Sequence, residues 1–303
     1  MDFGQLQSRI RALLKERRAI LLVHYYQRPE IQEIADILGD SLALSIEAAR
    51  TDAEVIVFAG VHFMAESASI LSPDKTVLLP RPDAGCPLAD MIDIERLEKA
   101  RREHPGATVV TYVNSTAAVK SCSDFCCTSA NARQVVASIE GAGEILMVPD
   151  GNLARWVAGS TDRKIIPWEG YCPVHHRLDT ETVLRVRDRF PKARFAAHPE
   201  CRAAVLALAD YVGSTSGILK YAASCDSEEL IVGTEEGILT QLKKENPGKV
   251  FISAAEDFVC EDMKKITLED IYRTLEQMKP IVKVPDGVRI AARKALDRMI
   301  AVS

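Results

Sequence analysis

No run of apolar residues in this 303-residue chain approaches the length of a membrane span; the longest, such as Ala19–Val23, are far too short. Basic runs are equally short. "KERR" at 15–18 and "ARRE" at 100–103 read as solvated helix faces, and the net charge is −5. Neither a membrane nor a nucleic acid is therefore an expected partner. The opening "MDFGQLQSRIRALLKERR" mixes charge with apolar residues at helical spacing and lacks the apolar core of a signal peptide, so a cytoplasmic protein is expected. There is no G-x-G-x-x-G, no Walker loop and no H-E-x-x-H, which removes the sequence support for a nucleotide cofactor or a zinc protease. No Gly/Ser-rich linker divides the chain, so any modules should pack closely. In "GYCPVHH" (170–176) a thiol and two imidazoles stand together, yet no second cysteine lies two to four residues away. A local zinc finger is excluded there, and further ligands must come from elsewhere in the chain.

What is present fits a soluble globular protein with a sizeable core: 47% hydrophobic and 27% charged residues. Length alone suggests about two domains. Eight cysteines in a reducing compartment point to metal or catalysis more than to disulfides. Short β-rich runs at 19–26, 54–60, 75–80, 107–114, 144–150, 163–167, 193–199, 229–234 and 249–253 alternate with amphipathic helical stretches. Alternation of this kind predicts parallel βα units.

The order recurs. Each third opens with a strand ending in a polar cluster (His24–Gln27, Tyr112–Ser115, His198–Glu200). A hydroxyl-bearing helix start follows at Ser41, Ser129 and Thr215, then two strands and a cysteine: Cys86, Cys172, Cys260. The cysteines stand 86 and 88 positions apart and the hydroxyls 88 and 86; His24, Asn114 and His198 stand 90 and 84 apart. Three features with one period of roughly 87 residues predict three related α/β modules, which are expected to surround a pseudo-threefold axis. They are taken as 1–90 with an N-terminal helix, 91–177, and 178–303 with C-terminal helices including "VRIAARKALDRMIAV".

Equivalent positions then converge on the axis, each module offering one thiolate. Three thiolates with an open corner suit a [4Fe–4S] cluster with one iron free for substrate. Cys122, Cys126 and Cys127 in "CSDFCC" read as packing residues, and Cys201 and Cys225 have no counterparts in register. Hydroxyls at three helix starts suggest an anion pocket. Pro199 stops its strand, leaving His198 and Glu200 at the tip, where a shielded Glu200 is expected to have a raised pKa and act as general base. Tyr26 and Tyr112 are further acid–base candidates, and one of His175 and His176 is expected to reach substrate or a carboxylate.

These residues resemble the quinolinate synthase family. The likeness spans nearly the whole chain through "VHYYQRPEIQEIADILGDS", "VFAGVHFMAE", "GCPLADM", "TYVNSTAAVKS", "CCTSANA", "GYCPVHH", "HPEC", "YVGSTSGI", "VGTEEGI" and "VCEDMKKITLEDI". It implies three α/β/α modules around one [4Fe–4S] cluster on Cys86, Cys172 and Cys260, with iminosuccinate and dihydroxyacetone phosphate as substrates in NAD biosynthesis. It implies a substrate pocket from His24, Ser41, Tyr112, Val113, Asn114, Ser129, His198, Pro199, Glu200, Ser214 and Thr215. Acid–base roles pass to Tyr26 and Glu200, with His198, Tyr112 and His175 beside them. A transient contact with an iminosuccinate-producing oxidase or dehydrogenase is left open. The chain departs from the family's His-Asn-Tyr-Gln in reading His24-Tyr25-Tyr26-Gln27. It has Cys260-Glu-Asp-Met263 where some members carry further cysteines, so no regulatory disulfide is expected there.

Overall fold

Strands that are apolar along their whole length must be covered on both faces, and helices provide the cover. In the computed structural model, which describes residues 3–141 and 143–302, three four-stranded sheets are built this way. The first comprises β1 (Ala19–His24), β2 (Ile37–Gly39), β3 (Val55–Ala59) and β4 (Thr76–Leu78). The second comprises β5 (Thr108–Tyr112), β6 (Phe125–Cys127), β7 (Ile145–Val148) and β8 (Ile165–Pro167). The third comprises β9 (Arg194–Ala197), β10 (Tyr211–Val212), β11 (Glu229–Gly233) and β12 (Val250–Ser253). The orders are β2-β1-β3-β4, β6-β5-β7-β8 and β10-β9-β11-β12, every pairing parallel. One topology used three times is the expected α/β architecture. β3 and β7 are buried at every position.

The nine strand runs read from sequence all appear. The fourth strand of each module, β2, β6 and β10, was not anticipated. Each is two or three residues long on a sheet edge, too short to carry a periodic signal. The register also revises one equivalence. Tyr25 N–H donates to Gly39 O, and Val113 N–H donates to Cys127 O. His24 pairs with Gly39 and Tyr112 with Cys127, while Val23, Thr111 and Ala197 pair with Ala59, Val148 and Gly233. His24, Tyr112 and His198 are therefore the equivalent strand tips, not His24, Asn114 and His198. Their spacings, 88 and 86, equal those of Ser41, Ser129 and Thr215.

The C-terminal helices tie the modules together. The helix Asp286–Ala301 packs on the helix Ala117–Ser121, on β6 and on the helix His62–Leu71, so it bridges modules one and two. The helix Leu268–Gln277, opened by a Thr267/Asp270 capping box, packs on the N-terminal helix Phe3–Glu16. These helices share one apolar core with modules one and two, whereas module three has cores of its own. Among the described residues, no helix is long and apolar enough to cross a membrane. Leu296, fully buried on the bridging helix, tests this role. Leu296→Ala should cost about 2–5 kcal/mol by denaturant unfolding, as expected for a cavity under a packed helix; a loss below about 1 kcal/mol would mean that the helix does not clamp the fold.

Candidate functional site

In open parallel sheets, ligands gather beyond the carboxyl ends of the strands. Here three such ends face one cavity of about 240 Å³. Module one brings His24, Tyr26, Ser41 and Cys86 to it; module two brings Tyr112, Asn114, Ser129, Cys172 and His175; module three brings His198, Glu200, Thr215 and Cys260. Of the site residues read from sequence, Val113, Pro199 and Ser214 do not line it. Val113 packs in the core. Pro199 stands between the two ionisable groups of its tip. Ser214 caps the helix Thr215–Ser224, its Oγ accepting from Gly217 N–H at 3.1 Å.

Ser41 and Thr215 are the first residues of their helices, behind the caps Asp40 and Ser214. Ser129 is not at a helix start as expected. Asn131 Oδ1 accepts from Thr128 N–H at 2.9 Å, which folds 128–131 into a turn and delays the helix to Ala132. The Ser129 hydroxyl still faces the cavity and lies 3.1 Å from His198 Nε2.

The strand tips set imidazole tautomers locally. Tyr26 N–H donates to His24 Nδ1 at 3.1 Å, and Glu200 N–H donates to His198 Nδ1 at 3.3 Å. When neutral, each ring then carries its proton on Nε2. Burial holds the His24 pKa at about 4, with Lys264 adding to the shift, and the His198 pKa at about 3. Both are neutral donors at physiological pH.

Glu200 is the buried carboxylate at the meeting point of the three modules. Its Oε2 lies 2.7 Å from His175 Nδ1 and 3.5 Å from His198 Nδ1, while Oε1 is buried without a hydrogen-bond partner. Burial pushes its carboxyl up, but the His198 and His175 imidazoles and hydrogen bonds from His175 and Tyr112 more than reverse this and hold it at about 2. The raised pKa expected from sequence is thus corrected: shielding is real, but His198 on the same tip and His175 and Tyr112 from module two outweigh it. His175 Nε2 is 2.8 Å from Thr234 Oγ1, and Thr234 Oγ1 is 2.6 Å from the Tyr26 hydroxyl, itself 2.9 Å from Thr215 Oγ1. A hydrogen-bonded chain thus runs Glu200–His175–Thr234–Tyr26. His175, not His176, is the one that reaches a carboxylate. Thr234 was missed by sequence reasoning because a lone threonine after a strand carries no signal; only its place between His175 and Tyr26 reveals it.

Burial raises the pKa of all three in-register thiols, that of Cys260 to about 11. They are stable as thiols or as metal thiolates, not as free anions. Cys126, Cys127 and Cys201 are fully buried packing residues, and all eight cysteines are free. Among the described residues, the one group of three donors within 4.8 Å is Cys172, His175 and Glu200. The 2.7 Å His175–Glu200 contact is a hydrogen bond, too short to span a metal held by both. The three thiols are the better soft-metal set.

Three α/β modules closing on a cavity of thiols and acid–base groups define a small-molecule site suited to a thiolate-held metal centre. Residues 8–301 match the family model described as quinolinate synthetase A protein, and the chain belongs to that family. It is 57% identical over 298 residues to a quinolinate synthase of Geotalea uraniireducens, covering 98% of each chain. It is 56% identical over 302 residues to a quinolinate synthase of Geobacter metallireducens, covering 100% of this chain and 99% of the relative. It is 53% identical over 302 residues to quinolinate synthase 1 of Methanosarcina acetivorans, again covering 100% and 99%.

The depressed imidazole pKa values give a direct test. Nitrogen-15 spectra of the metal-free protein should show His24 and His198 as the neutral Nε2–H tautomer from pH 8 down to about 5.5, where an ordinary imidazole is already mostly protonated. Titration of either ring near pH 6.5 would contradict the burial described here.

Proposed function

We propose that this chain is a quinolinate synthase of NAD biosynthesis, condensing iminosuccinate with dihydroxyacetone phosphate into quinolinate, phosphate and two waters. The convergence of Cys86, Cys172 and Cys260 on the cavity that holds the Glu200–His175–Thr234–Tyr26 chain carries this reading. Family membership supports it. The three thiols suit a [4Fe–4S] cluster with one open iron. Such a cluster, when bound, supplies a Lewis acid for a hydroxyl that must leave as water.

The chain's own groups do the rest. The enamine carbon of iminosuccinate attacks the triose carbon bearing phosphate, and phosphate departs with the bonding pair. A carbonyl shift then lets nitrogen close the ring, and two waters leave. Atoms balance with no external oxidant. Glu200, ionised and with an open Oε1 among the cavity-lining groups, takes a proton from carbon. At Oε2, His175 and then Thr234 connect the carboxylate to Tyr26, whose raised pKa, due chiefly to burial, keeps it protonated and able to donate to a departing hydroxyl. Tyr112, raised by burial and by Glu200, is a second donor. The Ser41 and Thr215 hydroxyls at helix N-termini, with Ser129, suit two carboxylates. Neutral His24 and His198 and the Asn114 amide orient the substrate without adding charge. Modules divided near 90 and 177, a cytoplasmic setting that keeps the eight thiols reduced, and delivery of iminosuccinate free or from a partner oxidase or dehydrogenase complete the reading.

Two measurements test it. Cys86→Ser, Cys172→Ser and Cys260→Ser should each abolish iron and sulfide uptake during anaerobic reconstitution, while Cys122→Ser and Cys126→Ser should retain it; a holo spectrum from any of the first three would sink the three-thiolate site. Glu200→Gln should keep the cluster and bind a dicarboxylate analogue, yet lose about 100- to 10,000-fold in quinolinate formation. Turnover within a factor of a few of the parent would move the base elsewhere, with Tyr26 next in line.

A further inference from the structure

The internal repeat exposes a set of carboxylates that the acid–base chain does not use. Asp150 and Glu235 each stand two residues beyond the end of a middle strand, β7 and β11. Both are almost completely buried, at 2% and 0% exposure. Asp150 Oδ1 accepts from Leu153 N–H at 2.7 Å and Oδ2 from Cys172 N–H at 3.1 Å. Glu235 Oε2 accepts from Gly237 N–H at 2.7 Å and Oε1 from Cys260 N–H at 3.1 Å. Each side chain thus ties the segment after its strand to the backbone of its module's thiol. The equivalent position in module one, two residues past β3, is the buried Val61, which can accept nothing. There the task passes to another module: Asp262 Oδ1, two residues after Cys260, accepts from Gly85 N–H at 3.2 Å, next to Cys86. Successive lysines pair with the two carboxylates of module three, Lys264 with Glu235 at 2.9 Å and Lys265 with Asp262 at 2.7 Å.

We infer that Asp150, Glu235 and Asp262 are positioning residues, one carboxylate for each thiol-bearing loop, that preset the three sulfurs for the metal centre. The inference rests on the three-thiolate reading above. It follows from what a buried loop needs. A thiol loop that wanders when metal-free must be reordered on each binding event and releases metal readily. An N–H locked to a buried carboxylate holds the loop in place beforehand. The amide isosteres cannot substitute at Asp150 or Glu235. Both oxygens already accept, so an amide would turn an NH₂ toward a backbone N–H. The Cys86 loop is held differently from the other two, by a partly exposed group from a different module that shares the Gly85 N–H with Asp83 O at 2.9 Å.

Asp150→Asn, Glu235→Gln and Asp262→Ala should be reconstituted anaerobically beside the parent and Cys172→Ser, and iron and sulfide followed while a chelator strips them. The three variants should take up the cluster but release it roughly 10- to 100-fold faster, the range expected for groups behind metal ligands. Metal-free, the variants should still fold and melt cooperatively, with no more than a modest fall in melting temperature for Asp150→Asn and Glu235→Gln. Release at the parental rate overturns the inference. A variant that unfolds without metal shows a fold role and overturns the assignment for that carboxylate; Asp262, on the cavity rim, is the variant least exposed to that outcome. A parent that takes up no iron and sulfide overturns the three-thiolate reading itself, and this inference with it.

Discussion

Ionisable groups have been gathered where water is scarce, and the rest of the site is arranged around that constraint. Glu200, Glu235 and three thiols line one cavity of about 240 Å³, with the buried Asp150 behind Cys172. A buried carboxylate without partners would neutralise itself. Glu200 stays ionised because His175 meets it at 2.7 Å and His198 stacks behind, the two rings 4.6 Å apart. The thiols respond in the opposite way: burial keeps them protonated until a cation compensates. One cavity therefore holds an ionised carboxylate beside protonated thiols.

The same constraint explains why the modules pack as they do. Partners for buried polar groups come from neighbouring modules. Tyr26 from module one finds Thr215 and Thr234 in module three. Asn152 from module two donates to the Glu200 carbonyl at 3.0 Å. Gln32 reaches Gly237 O at 2.9 Å, and a Cβ on Gly237 would lie 2.8 Å from the Tyr25 carbonyl oxygen, so the backbones meet there only because the side chain is absent. Satisfying the polar groups and closing the cavity are one act.

Much of this was legible in the sequence, for physical reasons. Long strands buried on both faces leave continuous apolar runs, as in Val55–Ala59, and the recurrence of thiols and hydroxyls at one period exposed the modules. The edge strands were invisible because two or three residues carry no period. The start of the helix after Ser129 was misjudged because the Asn131 side chain makes a turn where a cap was read. The Glu200 pKa was misjudged because burial can be read from a strand tip, but His175 joins it from another module. Thr234, Asp150, Glu235 and Asp262 could not be found at all: each matters through a contact with a residue distant in sequence or through a backbone N–H.

The register places Tyr26, Asn114 and Glu200 at one equivalent position, two residues beyond His24, Tyr112 and His198. Had the three tips remained identical, an asymmetric ligand could lie in the cavity in three indistinguishable poses. No corner would then be distinct from the others, and none could carry a role of its own. A phenol, an amide and a carboxylate at those three corners remove the degeneracy, since each pose but one faces the wrong partner. The departure from threefold symmetry at these corners turns a repeated scaffold into a directional one.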